Sequence, residues 1–164
     1  SLVAEQAGVS VGAIYHHFSG KEALLEALHW MVKAKYGRAL ILFDPAQSWE
    51  AQLNQIWLNA YHFFVHHPKE TRFLEQFESS LQYHDQLIDE EGMDDSFNQL
   101  LSFVQAGIDA GHIKPLPMEV IHDLTLGVAK LTASRQLNGM VTFDQQMLQQ
   151  IANASLDAVR QKTA

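Results

Sequence analysis

Nine histidines and no cysteine pose the first chemical question of this 164-residue sequence. His62 and His66 stand four apart, a spacing that sets two imidazoles on one helical face within reach of a metal ion. Two His-Asp pairs, His84-Asp85 and His122-Asp123, with Asp144 and Asp157 further on, carry the ligand types of a helical metal-dependent phosphohydrolase. That reaction is the alternative reading. Against it, His67 and Pro68 mark a helix end just after the first pair, and no HExxH motif, nucleophile elbow or Gly-rich phosphate loop is present. A chain with nine histidines also forms such pairs by chance. Satisfied or exposed histidines are the default, and no catalytic residue, metal or cofactor is expected. The lack of cysteine excludes a disulfide framework, a thiolate zinc site and a cysteine nucleophile.

A second group of residues suits the chemistry of nucleic-acid recognition. A short helix over 2–7 ends at Gly8, which can take the left-handed turn conformation. Ser10 suits an N-cap for a second short helix over 11–18. Ser19 suits the cap of a third, with Glu22 completing a capping box. Helix, glycine turn and short helix are the parts of a helix-turn-helix, whose second helix enters the major groove. Gly12 and Ala13 lack bulk and let the backbone approach DNA. Tyr15 and His16 point outward, where a phenol can bond a phosphate and an imidazole a phosphate or a base edge. Lys21, in the first turn of the third helix, opposes the helix dipole at a small cost that a phosphate would offset.

The elements that must carry these residues are almost all helical. Leu24, Leu25, Leu28, Met31 and Val32 recur at helical spacing. So do Trp49, Leu53, Ile56, Ala60 and Phe63. The same holds for Phe97, Leu101, Val104 and Ile108, for Ile121, Leu124, Val128 and Leu131, and for Phe143, Met147, Ile151, Ala154 and Ala158. Asp44-Pro45, Pro68, Gly111, Pro115, Pro117 and Asn138-Gly139 punctuate them. The expected class is all-α, with a boundary at residue 42. Residues 1–42 hold the helix-turn-helix and a connecting helix, with four basic residues against three acidic. Residues 43–164 hold seven basic against sixteen acidic. The formal net charge of −8 argues against a nucleic-acid binder as a sum, and its distribution removes the objection. Asp85, Asp89, Glu90, Glu91, Asp94 and Asp95 read as one solvated acidic loop. The near-uncharged apolar run at 39–43 is far too short to span a bilayer, and no signal peptide precedes the helices, so a cytoplasmic protein without membrane contact is expected.

The segment AEQAGVSVGAIYHHFSGKEALLEAL closely resembles the DNA-binding segment of the TetR family of bacterial transcriptional regulators. Ala4, Gly8, Val9, Ser10, Gly12, Tyr15, His17, Phe18, Lys21, Glu22 and Leu24 carry the match, over about one-sixth of the chain. The resemblance implies an all-helical homodimer. Its three-helix N-terminal domain binds a palindromic operator on double-stranded DNA, and its larger C-terminal domain dimerises and binds a small-molecule effector. Carried over by position, Ser10, Gly12, Ala13, Tyr15, His16, His17 and Lys21 fall in the DNA-facing region, with Tyr15 and Lys21 as phosphate contacts. The chain starts inside the second of the three helices, so the family's first helix is expected to be absent from it.

Residues 48–111 are rich in aromatics, which read either as ordinary core or as a pocket with a few polar tips. As a pocket, its lining would be Trp57, Tyr61, Phe77, Phe103 and His122, and its ligand partly apolar. The last helix carries two apolar stripes, Met147, Ile151, Ala154, Ala158 and Leu148, Ala152, Leu156, Val159. Two faces need two partners, either both within the chain or one from a second subunit. The four-helix interface that the resemblance implies would use Val128, Leu131 and Arg135 with the first of these stripes.

Overall fold

The computed structural model describes residue 12, residues 16–79 and residues 95–161. The expected helix over 2–7, most of the helix over 11–18 and the acidic loop before Asp95 lie outside these. Seven α-helices follow in order among the described residues: α1 Lys21–Leu40, α2 Trp49–His66, α3 Pro68–Glu78, α4 Asp95–Asp109, α5 Met118–His122, α6 Val128–Leu137 and α7 Gln145–Val159. A π-helical turn, Asp123–Gly127, joins α5 to α6 without a break.

Local chemistry sets most of the boundaries. Ser48 caps α2 by accepting from the Ala51 N–H, and Asp144 caps α7 by accepting from Met147. Pro68 opens α3 at a position where its missing N–H costs nothing. Gly111 and Gly139, both with φ near +70°, turn the chain after α4 and α6. The expected capping box at Ser19 does not form. The N-cap is Gly20, in extended backbone and with no side chain to offer, so Glu22 sits one residue too early to close the box.

α2 is the central helix. It packs against α1, α3, α6 and α7, so it buries residues around most of its circumference, Trp57, Ala60 and Phe64 among them. α1 is not a mere connector. Tyr36 and Leu40 in its second half belong to the same core as Phe63, Phe64 and Trp57, so the charge boundary at 42 runs through a packed body. Gly37 lets α4 approach closely, since a Cβ there would meet Ser96 Oγ at 2.5 Å and the Phe97 ring at 2.8 Å. The Asn59 amide donates to the carbonyls of Leu40 and Leu42 and ties the end of α1 to α2. A short antiparallel bridge between Ile113 and Arg160 fastens the chain after α7 to the turn after α4.

Two stripes differ from expectation by one residue. On α4 the buried face is Ser96, Leu100, Val104 and Gly107, and Leu101 is partly open, because Gly107 admits the Trp49 ring against the helix. Along α5 to α6 the buried face runs Ile121, Thr125, Leu126, Ala129 and Ala133. The π turn adds one residue to a helical turn and rotates everything after it, so Leu131 emerges at 54% exposure.

His29 lies buried on α1, stacked on Phe77 with centroids 4.5 Å apart. Burial, then the charge of Lys33, lowers its pKa to about 4, against a smaller opposing pull from Glu78. The neutral form is the folded form, so its stabilisation is complete above pH 6.5 and is lost as pH falls toward 4. Urea unfolding between pH 7 and 4 is expected to show this as a slope of up to about 1.4 kcal/mol per pH unit. The slope should shrink in His29→Gln. An equal slope in both proteins would place the acid sensitivity elsewhere.

Candidate DNA-reading segment and ligand cavity

Gly12, His16, His17 and Lys21 are the expected DNA-facing residues that the structure describes, and all four are exposed. Ser10, Ala13 and Tyr15 lie outside the described residues. The His16 and His17 rings lie nearly parallel, 5.6 Å apart. Lys21 is the first residue of α1, so an exposed ammonium stands at a helix N-terminus. That combination attracts phosphate.

A cavity lies among the helices of the body, with a volume of about 110 Å³. α1, α2, α4, α5, the π turn and α7 all contribute to its wall, which is almost wholly apolar. Trp57 and His122 of the expected lining are part of it. Trp57 is fully buried, and its indole N–H donates to Ser155 Oγ (3.2 Å), which donates in turn to the Leu124 carbonyl (2.6 Å). This chain of bonds pins α2 to α7 and to the π turn at the cavity wall. The His122 side chain is half exposed, with Nδ1 3.4 Å from Asp123 Oδ1.

Tyr61, Phe77 and Phe103 lie off this cavity. Tyr61 stacks one turn beyond Trp57, but its hydroxyl donates to Gln136 on α6 and draws the ring away. Phe77 packs on His29 between α3 and α1. Phe103 sits on another face of α4, against Phe43 and Trp49, and lines a separate recess with Ile41 and Pro45. Aromatic content alone did not separate these faces.

Lys33 is the charged lining residue that sequence reasoning missed. It projects from α1 between Val32 and Tyr36, and its Nζ lies 5.0 Å from the centre of the Phe97 ring. Burial lowers its pKa. The Glu78 carboxylate pulls it back up, and Lys130 adds a smaller lowering. Glu78 is itself ion-paired with Lys130. The signal lay in the helical spacing of His29, Val32, Tyr36 and Leu40, an inward face with which Lys33 aligns.

The expected interface residues divide by burial. On α7 the stripe Leu148, Ala152, Leu156 and Val159 is buried within the protomer. The other stripe stays uncovered, with Met147 42% exposed, Ala154 exposed, and Ile151 and Ala158 half-buried. On α6, Val128 is half-buried while Leu131 and Arg135 are exposed. Met140 and Val141, in the link between the two helices, are also exposed and were not anticipated.

Among the described residues no group of three or more His, Asp or Glu side chains could hold a metal ion. The His66 ring N–H donates to the His62 carbonyl oxygen (2.9 Å), which turns one ring of that pair back onto its own helix. His84-Asp85 lies outside the described residues. No described helix is long and apolar enough to cross a membrane.

One helix connects the two sites. α1 begins with Lys21 and, twelve residues or about 18 Å further along, places Lys33 in the cavity wall. A second continuous helix, α5 through α6, runs from the cavity residues Ile121 and Thr125 to the exposed Leu131.

Comparison with known proteins agrees with this layout. A family model described as the tetracyclin repressor-like, C-terminal domain matches residues 49–160, and one for bacterial regulatory proteins of the tetR family matches residues 1–28. No curated protein matches the chain. Among solved structures, the fold is similar to that of a TetR family transcription regulator from Marinobacter aquaeolei VT8, with a TM-score of 0.85 and 23% identity over 98% of this chain and 83% of that one. It is also similar to a TetR-family regulator from Haemophilus influenzae, with a TM-score of 0.79 and 24% identity over 96% of this chain and 82% of that one.

Proposed function

The chain belongs to the TetR family of transcriptional regulators, which are DNA-binding proteins and not enzymes, and on that premise we propose that it is a ligand-released repressor working as a cytoplasmic homodimer. The observation that carries this reading is that α1 joins the exposed cation Lys21 to the wall of a largely apolar cavity. Two recognition segments, held by a dimer of the α6 and α7 faces, would reach successive major grooves of a palindromic operator. A ligand that prefers one packing of the cavity wall shifts α1 by its differential affinity, and with it the spacing of the recognition segments. Release therefore needs no contact between ligand and DNA.

Within the DNA-facing set, Tyr15 and Lys21 are assigned to phosphates and His16 and His17 to phosphates or base edges. The test uses the native protein and a duplex enriched from a random library. Lys21→Ala is expected to weaken binding evenly across sequences and to reduce the slope of log affinity against log salt by about two, one for each subunit of the dimer. An unchanged slope would remove Lys21 from the phosphate contacts.

A further inference from the structure

We propose that the cavity takes a small carboxylate with an apolar body no larger than a single ring, its carboxylate held by the Lys33 ammonium. This rests on reading the cavity as the effector site, and it names the chemistry of the ligand.

Three observations lead there. The first is charge. Lys33 and Lys130 face one carboxylate, Glu78, which is already paired with Lys130. The neighbouring Lys35 and Glu70 pair with each other (2.7 Å). Among the described residues no carboxylate lies within ion-pair distance of Lys33, and the Glu78 carboxylate that acts on it is shared with Lys130. The second is how few polar side chains line the cavity, Tyr36 and His122 being the others besides Lys33, Trp57 and Thr125. The Trp57 N–H is engaged by Ser155, and the Thr125 hydroxyl donates to the Ile121 carbonyl (2.6 Å). A neutral polar ligand would find few free donors, whereas an anion meets a cation in a medium of low dielectric. The third is size. About 110 Å³ is somewhat less than the roughly 150 Å³ cavity that admits benzene, which fits a short alkyl chain or one ring after slight adjustment.

The Phe97 ring below the ammonium fits the same role. A cation–π contact holds the charged end in place without neutralising it, and a bound carboxylate can replace or share that contact.

The experiment titrates the native protein calorimetrically with isovalerate and benzoate, with 3-methylbutanol as the neutral probe and isoamylamine as the cationic one. The carboxylates are expected to bind about tenfold or more tightly than the alcohol, and the amine most weakly. Lys33→Met should abolish that preference while leaving the alcohol's affinity within about twofold. Lys33→Arg should restore it, and a melting curve for each variant checks folding. Alcohol binding equal to carboxylate binding, carboxylate affinity unchanged by Lys33→Met, or no binding of either carboxylate would overturn the proposal. If the alcohol alone binds and releases DNA, the effector reading stands and the carboxylate is wrong. If compounds that release DNA bind equally well after Trp57 and Lys33 are altered, the effector reading itself fails.

Discussion

Replacing Leu131 and Met147 together with Asp is expected to convert the proposed dimer into monomers and to lower DNA affinity about 100-fold or more. Both side chains are open in the protomer, at 54% and 42% exposure, while the opposite faces of α6 and α7, Ala129 and Ala133 with Leu148, Ala152, Leu156 and Val159, are anchored in the core. In a two-fold interface each substitution occurs twice. Burying an unpaired carboxylate costs several kcal/mol, so four of them are enough to separate the subunits at micromolar concentration. A palindromic operator read by two half-sites then loses one reader, and the second binding event is no longer intramolecular. The protomer itself should melt nearly unchanged, because surface substitutions away from packed features stay within about 0.5 kcal/mol. Sedimentation velocity with a parallel melting curve separates the two effects. A double variant that stays dimeric would move the interface off these helices.

The second large effect concerns stability. Trp57→Ala is expected to cost about 3–5 kcal/mol, a large share of the total for a domain of this size. Trp57 is fully buried at the meeting point of α2, α7 and the π turn, and its N–H is the donor that satisfies Ser155. Removing the indole leaves a cavity continuous with the existing one and an unpartnered hydroxyl lone pair between three helices. Trp57→Phe keeps most of the apolar contact and should cost clearly less. Urea midpoints for the two variants check the order. Equal costs would mean that the hydrogen bond and the indole's extra volume carry the whole effect and that the ring Phe retains contributes little.

Much of this molecule was legible in its residues. Helix ends followed from Pro68, Gly111 and Gly139, whose backbone preferences act locally and owe little to the tertiary fold. The two faces of α7 were legible as well, since one uninterrupted helix preserves its period from Leu148 to Val159. What escaped was register and direction. The π turn at Asp123–Gly127 leaves no plain mark on apolar spacing, so the stripe through Leu124 and Leu131 came out one residue off. Only two of the five expected lining residues face the cavity, for a related reason. Trp57 and His122 face it, but Tyr61, Phe77 and Phe103 turn away toward Gln136, His29 and Trp49, and such pairings arise only between helices distant in sequence. Lys33 was passed over because a charged residue reads as surface, although its place beside Val32 and Tyr36 aligned it with the inward face. The DNA-facing set rested on motif, and the structure adds that its described members are exposed ahead of a helix shared with the cavity.

The central claim is that this is a dimeric reader of palindromic DNA, and a selection experiment tests it most directly. The native protein is incubated with a random duplex library at physiological salt, and bound sequences are enriched and read. The account predicts a two-fold symmetric site whose half-sites lie about one helical turn apart, lost in the Leu131→Asp, Met147→Asp protein. A library that stays random, or an enriched sequence without symmetry that the monomeric variant binds equally well, would contradict it.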